Sequence, residues 1–209
     1  MEVRLVQLSE SKVVNGLIVA AGLSKRMGDF KPLLPFGDKT LIECTVESML
    51  SAGVSQVIVV LGHRGKELEM LLEERYRDRV ILVYNPAYAS TDMLTSVKCG
   101  LAKMPPCQAY FLLPGDMPMV KKSTFNLLLE AFSFEQPVIL FPTLNGYPKH
   151  PPLINAYFTQ PILAFEGEGG LRQLWKKLAE YRRNIPVEDQ GVAIDFDTKE
   201  VYVTYANTV

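Results

Sequence analysis

The sequence predicts an α/β fold, with a mainly parallel, Rossmann-like central sheet covered on both faces to give three layers. Short apolar runs rich in β-branched residues alternate with segments of helical period from Val13 to about Pro142. Such alternation implies right-handed crossovers between parallel strands. Glycines and charged residues gather directly after the first and fourth runs, at the strand ends where open α/β sheets place their ligands.

The first run holds Val13, Val14, Ile18 and Val19 and breaks into a loop with Gly22 and Gly28. Residues 40–52 set Leu41, Cys44, Thr45 and Ser48 on a helical period and stop at Gly53. A second strand spans 56–61, followed by the turn Gly62-His63-Arg64-Gly65. An amphipathic helix is expected over 66–75, a third strand over 80–84, and a helix over 91–103 with Thr91 and Asp92 as cap candidates. The fourth strand, 109–113, ends in Pro114-Gly115-Asp116-Met117-Pro118. Beyond Pro142 the rhythm changes. Residues 145–152 read as a loop, Leu153-Ile154 as a short strand, and 160–175 as a glycine-rich turn leading into a helix. Residues 184–187 and 192–194 read as late strands. With no repeat or low-complexity linker, a single domain over 1–209 is expected.

Lys plus Arg at 22 against Asp plus Glu at 23 gives a net charge of -1. That balance offers no bulk attraction to nucleic acid or to an anionic membrane. No apolar run is long enough to span a bilayer. Cys44, Cys99 and Cys107 are an odd number without close pairing, and neither His63 nor His150 is spaced with them as in a zinc site. A cytoplasmic protein with reduced thiols is the expectation.

In the first loop, Lys25, Arg26 and Lys31 stand among small residues. Small residues let backbone N–H groups approach a ligand, and the cations neutralise phosphate oxygens. The stretch therefore reads as a polyphosphate cradle or as an ordinary strand-to-helix turn with solvated charges. It is neither a Walker A loop, since Asp29 and Phe30 follow Gly28, nor a dinucleotide fingerprint, since Leu23 and Ser24 follow Gly22. Asp116 ends an apolar strand at the same sheet edge, either as a turn-capping residue or as a ligand for Mg²⁺, which takes one or two carboxylates plus phosphate oxygens. Asp195 and Asp197 alternate, so a strand would point both to one face, and either supplies a second carboxylate.

Ala20-Ala21-Gly22-Leu23-Ser24-Lys25-Arg26-Met27-Gly28, then Lys31-Pro32-Leu33-Leu34, fills every fixed place of the loop Ala-(Ala/Gly)-Gly-x-Ser-x-Arg-Met-Gly-x-x-Lys-x-Leu-Leu. In this the chain resembles the nucleotidyltransferases that include the molybdenum cofactor cytidylyl- and guanylyltransferases. Gly115-Asp116-Met117-Pro118 resembles their metal-binding turn. The stretch from Asp195 to Glu200 resembles their terminal Asp-Ile-Asp-Thr-Pro-Glu-Asp motif, with Lys199 in place of Pro and Val201 in place of the last Asp. Asn85-Pro86 with Met93 to Leu101 resembles the segment whose serine, here Ser96, holds the nucleotide; a helix-start serine is the plainer reading. Residues 146–154 resemble a Gly-His-Pro-x-Leu segment on the acceptor side, with Lys149 where glycine is expected. His150 there contacts an anionic acceptor or is simply a packed histidine.

The resemblance implies a nucleotidyltransferase fold with a nucleotide half at about 13–120 and an acceptor side at about 121–200. It implies transfer of CMP, with GMP the second choice, to a phosphate-bearing acceptor with release of pyrophosphate. CTP is favoured because the side chain of Ala21 narrows the space near the base. Arg26, Lys31 and Asp116 are the implied catalytic residues; Ala20, Ala21, Gly22, Ser24, Arg26, Lys31 and Ser96 bind nucleotide; His150 binds acceptor; Asp116 and Asp195 hold Mg²⁺. Molybdopterin is the first acceptor, with a partner enzyme receiving the finished cofactor. Sugar phosphates, phosphocholine and methylerythritol phosphate are alternatives, and a non-catalytic nucleotide carrier is the reading from another class.

Overall fold

The computed structural model describes residues 12–24 and 27–206. In chain order the strands are β1 (Val14–Ala20), β2 (Pro35–Phe36), β3 (Lys39–Thr40), β4 (Val57–Leu61), β5 (Val80–Tyr84), β6 (Ala109–Pro114), β7 (Ile139–Leu144), β8 (Tyr147–Pro148), β9 (Leu153–Asn155) and β10 (Arg182–Pro186). The helices are α1 (Leu41–Ser51), α2 (Gly65–Tyr76), α3 (Met93–Leu101), α4 (Lys122–Glu130), α5 (Thr159–Leu163), α6 (Gly170–Lys177) and α7 (Lys199–Ala206). The main sheet runs β10-β7-β9-β6-β1-β4-β5, with β8 hairpinned onto β7. β5, β4, β1 and β6 are mutually parallel; β9 runs against both β6 and β7, and β10 is parallel to β7.

Both faces of the sheet are covered, which is why the central strands read as continuous apolar runs rather than alternating ones. Ile18, Val59 and Phe111 face one core, with Ile42 and Val46 of α1, Leu68 of α2 and Phe125 of α4. Leu17, Ile58 and Leu112 face the other, with Leu94 and Val97 of α3 and Ile162 of α5. Helix α1 starts where Glu43 accepts from the backbone N–H of Thr40 at 2.8 Å, an N-terminal box that satisfies a first-turn donor. A third, smaller cluster joins Phe36 and Leu41 to Phe196 beside the carboxyl-terminal helix.

Two expectations fail after β10. Residues 192–194 are not a strand, because Gln190–Ala193 forms a 3-10 turn. The buried Asp189 carboxylate accepts from Gly191 N (2.9 Å), Lys121 N (2.8 Å) and Thr124 Oγ1 (2.7 Å), which folds the chain back onto the start of α4. Val192 is thereby buried from a turn. Residues 195–197 are likewise irregular rather than extended in a ladder, so period-two reasoning does not apply to Asp195 and Asp197.

Candidate active site

The carboxyl ends of β1 and β6 lie side by side, and the site is built on that edge. Gly115 donates to the Val19 carbonyl at 2.9 Å. A Cβ on Gly115 would sit 3.0 Å from Ala20 Cβ, so the two strand ends approach at a distance suited to glycine. Asp116 follows directly, and its carbonyl accepts from Phe196 N at 3.1 Å, tying the carboxyl-terminal segment to this turn.

After β1 the chain passes Ser24, which has φ +51°, a left-handed conformation. Its Oγ accepts from Lys31 N at 3.2 Å, and its carbonyl from Met27 N at 3.1 Å. These bonds deliver Lys31 to the head of a 3-10 turn, Lys31–Leu33. The Lys31 side chain is 8% exposed; its Nζ donates to Asp116 Oδ2 at 3.0 Å and to Asp197 Oδ1. Burial works against the Lys31 charge, but the two carboxylates outweigh it and lift the ammonium pKa above the ordinary lysine value. Burial, then the charges of Asp197 and Asp116, push the Asp195 carboxyl up.

Ala20, Ala21, Gly22, Ser24, Lys31, Ser96 and Asp116 line one cleft of about 480 Å³ together with Asp197. Arg26 lies outside the described residues, as does Lys25. Asp195 and His150 are not among the lining residues. His150 is half-buried behind β6, its Nδ1 3.4 Å from the Leu112 carbonyl, and burial pushes its pKa down. The partner of Asp116 across Lys31 is therefore Asp197, where the sequence had pointed first to Asp195. Among the described residues no group of three or more His, Cys, Asp or Glu is arranged to hold a metal. Asp116 and Asp197, which converge on the Lys31 ammonium, are the carboxylates of the cleft lining that could hold a divalent cation alongside phosphate oxygens.

The opposite wall includes the segment singled out in sequence for Ser96, but its lining by Tyr88 and Thr91 was not anticipated. It comes from the loop between β5 and α3, where Tyr88, Thr91, Asp92 and Met93 face the cleft. Asn85, 1% exposed, orders this loop: its Nδ2 donates to Ser96 Oγ (3.0 Å) and Thr91 Oγ1 (3.2 Å), and its Oδ1 accepts from Ala87 N (3.0 Å). Asp92 caps α3 by accepting from Thr95 N at 3.0 Å, as its position suggests. Ser96 is thus a buried member of this network inside the helix rather than a cap. In sequence this wall is signalled by Asn85 and Ser96 in the segment that resembles a nucleotide-holding one, and Tyr88, an aromatic residue in a polar loop, is a further signal that was not used.

Residues 16–182 match the family model described as a MobA-like NTP transferase domain. The molybdenum cofactor cytidylyltransferase of Escherichia coli is 31% identical over 193 residues, 91% of this chain and 94% of that protein. A Bacillus mycoides protein described as "Probable molybdenum cofactor guanylyltransferase" is 30% identical over 90% of this chain and 93% of its own length. Among solved structures, a nucleotidyl transferase from Methanothermobacter thermautotroptrophicus has a TM-score of 0.79 at 23% identity, covering 94% of this chain and 97% of that one.

Proposed function

This chain belongs to the MobA-like NTP transferase family, and on that premise we propose that it transfers CMP from CTP to a phosphate-bearing acceptor, molybdopterin foremost, with Mg²⁺. The observation that carries the reading is the Lys31 ammonium bracketed by Asp116 and Asp197 at the wall of the cleft.

An oxygen of the acceptor phosphate attacks the α-phosphorus of the nucleotide; the bond from that phosphorus to the bridging oxygen breaks, and pyrophosphate leaves. A phosphate monoester has its second pKa at about 6, so the nucleophile is already ionised and no side chain needs to remove its proton. What the protein supplies is position and charge. Gly22 and the neighbouring backbone leave room for the triphosphate, and nothing stands within 4 Å of where a Cβ on Gly22 would be. Lys31, with Arg26 from the same loop, neutralises charge that gathers on the leaving pyrophosphate. Asp116 and Asp197, with Asp195 close by, would hold Mg²⁺, which when bound supplies Lewis-acid stabilisation of the phosphate oxygens.

CTP is the proposed donor. Ala21 lines the cleft and is buried, with Gly62 packed so closely that a Cβ there would meet the Ala21 carbonyl at 2.5 Å. The close packing behind Ala21 supports a wall of fixed position, which suits the smaller pyrimidine base. The cytidylyltransferase relative supports the same choice. The test is pyrophosphate release with CTP or GTP at equal concentration against molybdopterin, phosphocholine, a sugar phosphate and methylerythritol phosphate. Release with CTP and molybdopterin is the expected outcome. Preference for GTP overturns the donor, and nucleotide binding without release for any acceptor supports a carrier.

A further inference from the structure

We propose that Phe196 is a positioning residue: its ring, anchored in an aromatic socket, holds Asp197 against Lys31. The inference rests on the proposed role of the Lys31, Asp116 and Asp197 cluster and adds what keeps that cluster assembled.

Asp197 belongs to an irregular segment, so no helix or ladder fixes its side chain. Its neighbour Phe196 is fully buried although it lies in a loop. The ring meets Phe36 edge-on at 5.4 Å between centroids, and Tyr202 and Tyr205 at 6.4 and 6.2 Å. Leu41 of α1 closes the same cluster. Tyr202 Oη donates to the Pro35 carbonyl at 2.8 Å, so α7 is latched to the β2–β3 hairpin. That hairpin follows directly on the turn that carries Lys31. The backbone is held from the other side by the bond from Phe196 N to the Asp116 carbonyl. Phe196 thus ties together three separate pieces of chain: through its ring the hairpin that follows the Lys31 turn and α7, and through its backbone N–H the Asp116 turn. Its neighbour Asp197 is placed where those pieces meet. Aromatic packing of this kind is rigid and leaves few alternative rotamers.

Phe196 acts through Asp197, and a double-mutant cycle isolates that coupling. Phe196→Ala, Asp197→Asn and the double variant are compared in two assays. The first is pyrophosphate release with CTP, Mg²⁺ and the active acceptor. The second, free of nucleotide and metal, is the rate at which an amine-specific reagent modifies Lys31, read by peptide mass spectrometry. Phe196→Ala is expected to lower turnover about tenfold and to speed Lys31 modification about tenfold, as loss of one charge-assisted hydrogen bond does. In the Asp197→Asn background Phe196→Ala should change either rate by less than about twofold. Phe196→Leu, which keeps most of the apolar volume, should recover most of both and serves if the alanine variant does not fold. Effects of Phe196→Ala that multiply fully with those of Asp197→Asn overturn the inference. So does Lys31 modification at the wild-type rate in the folded alanine or leucine variant. Normal turnover by Asp197→Asn alone would instead overturn the role proposed for the cluster and leave the packing account standing on the modification assay.

Discussion

Lys31 Nζ lies 3.0 Å from Asp116 Oδ2 although the two residues are 85 positions apart, one after the first strand and the other after the fourth to join the parallel part of the sheet. Parallel strands deliver their following loops to one edge, and the pair forms because β1 and β6 are neighbours. Asp197 then closes on the same nitrogen from the carboxyl-terminal segment.

Removing the cation leaves two carboxylates facing each other. Lys31→Met should destabilise the protein by about 1–2 kcal/mol near neutral pH. This is below the cost of breaking a fully buried pair, because the two acid side chains remain 22% and 25% exposed. The Lys31 pKa is raised in the folded state, so the stabilisation is complete below the ordinary lysine value and is lost as pH climbs through the folded one. Thermal melts of wild type and variant should differ by a constant amount from pH 7 to 9 and converge above about pH 10.4. A gap that widens with pH would contradict the pairing.

His150 titrates in the opposite sense. Burial holds its imidazole pKa down, so the folded protein resists taking up a proton that the unfolded chain accepts. Stability should be full above the ordinary histidine pKa of about 6.5 and fall as pH drops below it. Melts of His150→Asn between pH 7 and 5 should show a shallower decline than wild type, and equal slopes would show that His150 is not the group responsible.

Ser96 supports the cleft wall through Asn85. Ser96→Ala removes one acceptor from the buried Asn85 amide, which keeps Thr91 Oγ1. The expected loss is about 1 kcal/mol in denaturant unfolding. A stability change within experimental error would mean that the amide finds another partner.

Three loops around the cleft are linked by rings. Phe30 meets His63 edge-on at 5.5 Å, His63 lies 6.2 Å from Tyr88, and the Arg64 guanidinium sits 5.1 Å from the Phe30 ring centre. His63→Ala should loosen Tyr88, which lines the cleft, and raise KM for the nucleotide about fivefold with kcat little changed. A fall in kcat at constant KM would place His63 in the chemistry instead.

The central strands were legible because burial on both faces makes them unbroken apolar runs, and β4, β5 and β6 lie within a residue or so of their expected places. Asp116 was legible for the same reason, as the first acid after such a run. The choice between Asp195 and Asp197 was not. Alternation assumes a ladder, and Phe196 lies between them as a buried plug in an irregular segment. What selects Asp197 is aromatic packing from Phe36, Tyr202 and Tyr205, which local pattern cannot report. Of the wall built on residues 85–96, Ser96 was legible by resemblance; the lining by Tyr88 and Thr91 was not, since the Asn85 bonds that shape it are side-chain contacts across a loop.

The most direct measurement is a Mg²⁺ titration of pyrophosphate release at saturating CTP and acceptor, for wild type and Asp116→Asn. The expected result is saturable activation of the wild type and turnover about 100-fold lower in the variant at every Mg²⁺ concentration, the loss expected when one transition-state charge contact is removed. Wild-type turnover by Asp116→Asn, or release by the wild type that is unchanged in the presence of a chelator, would contradict it.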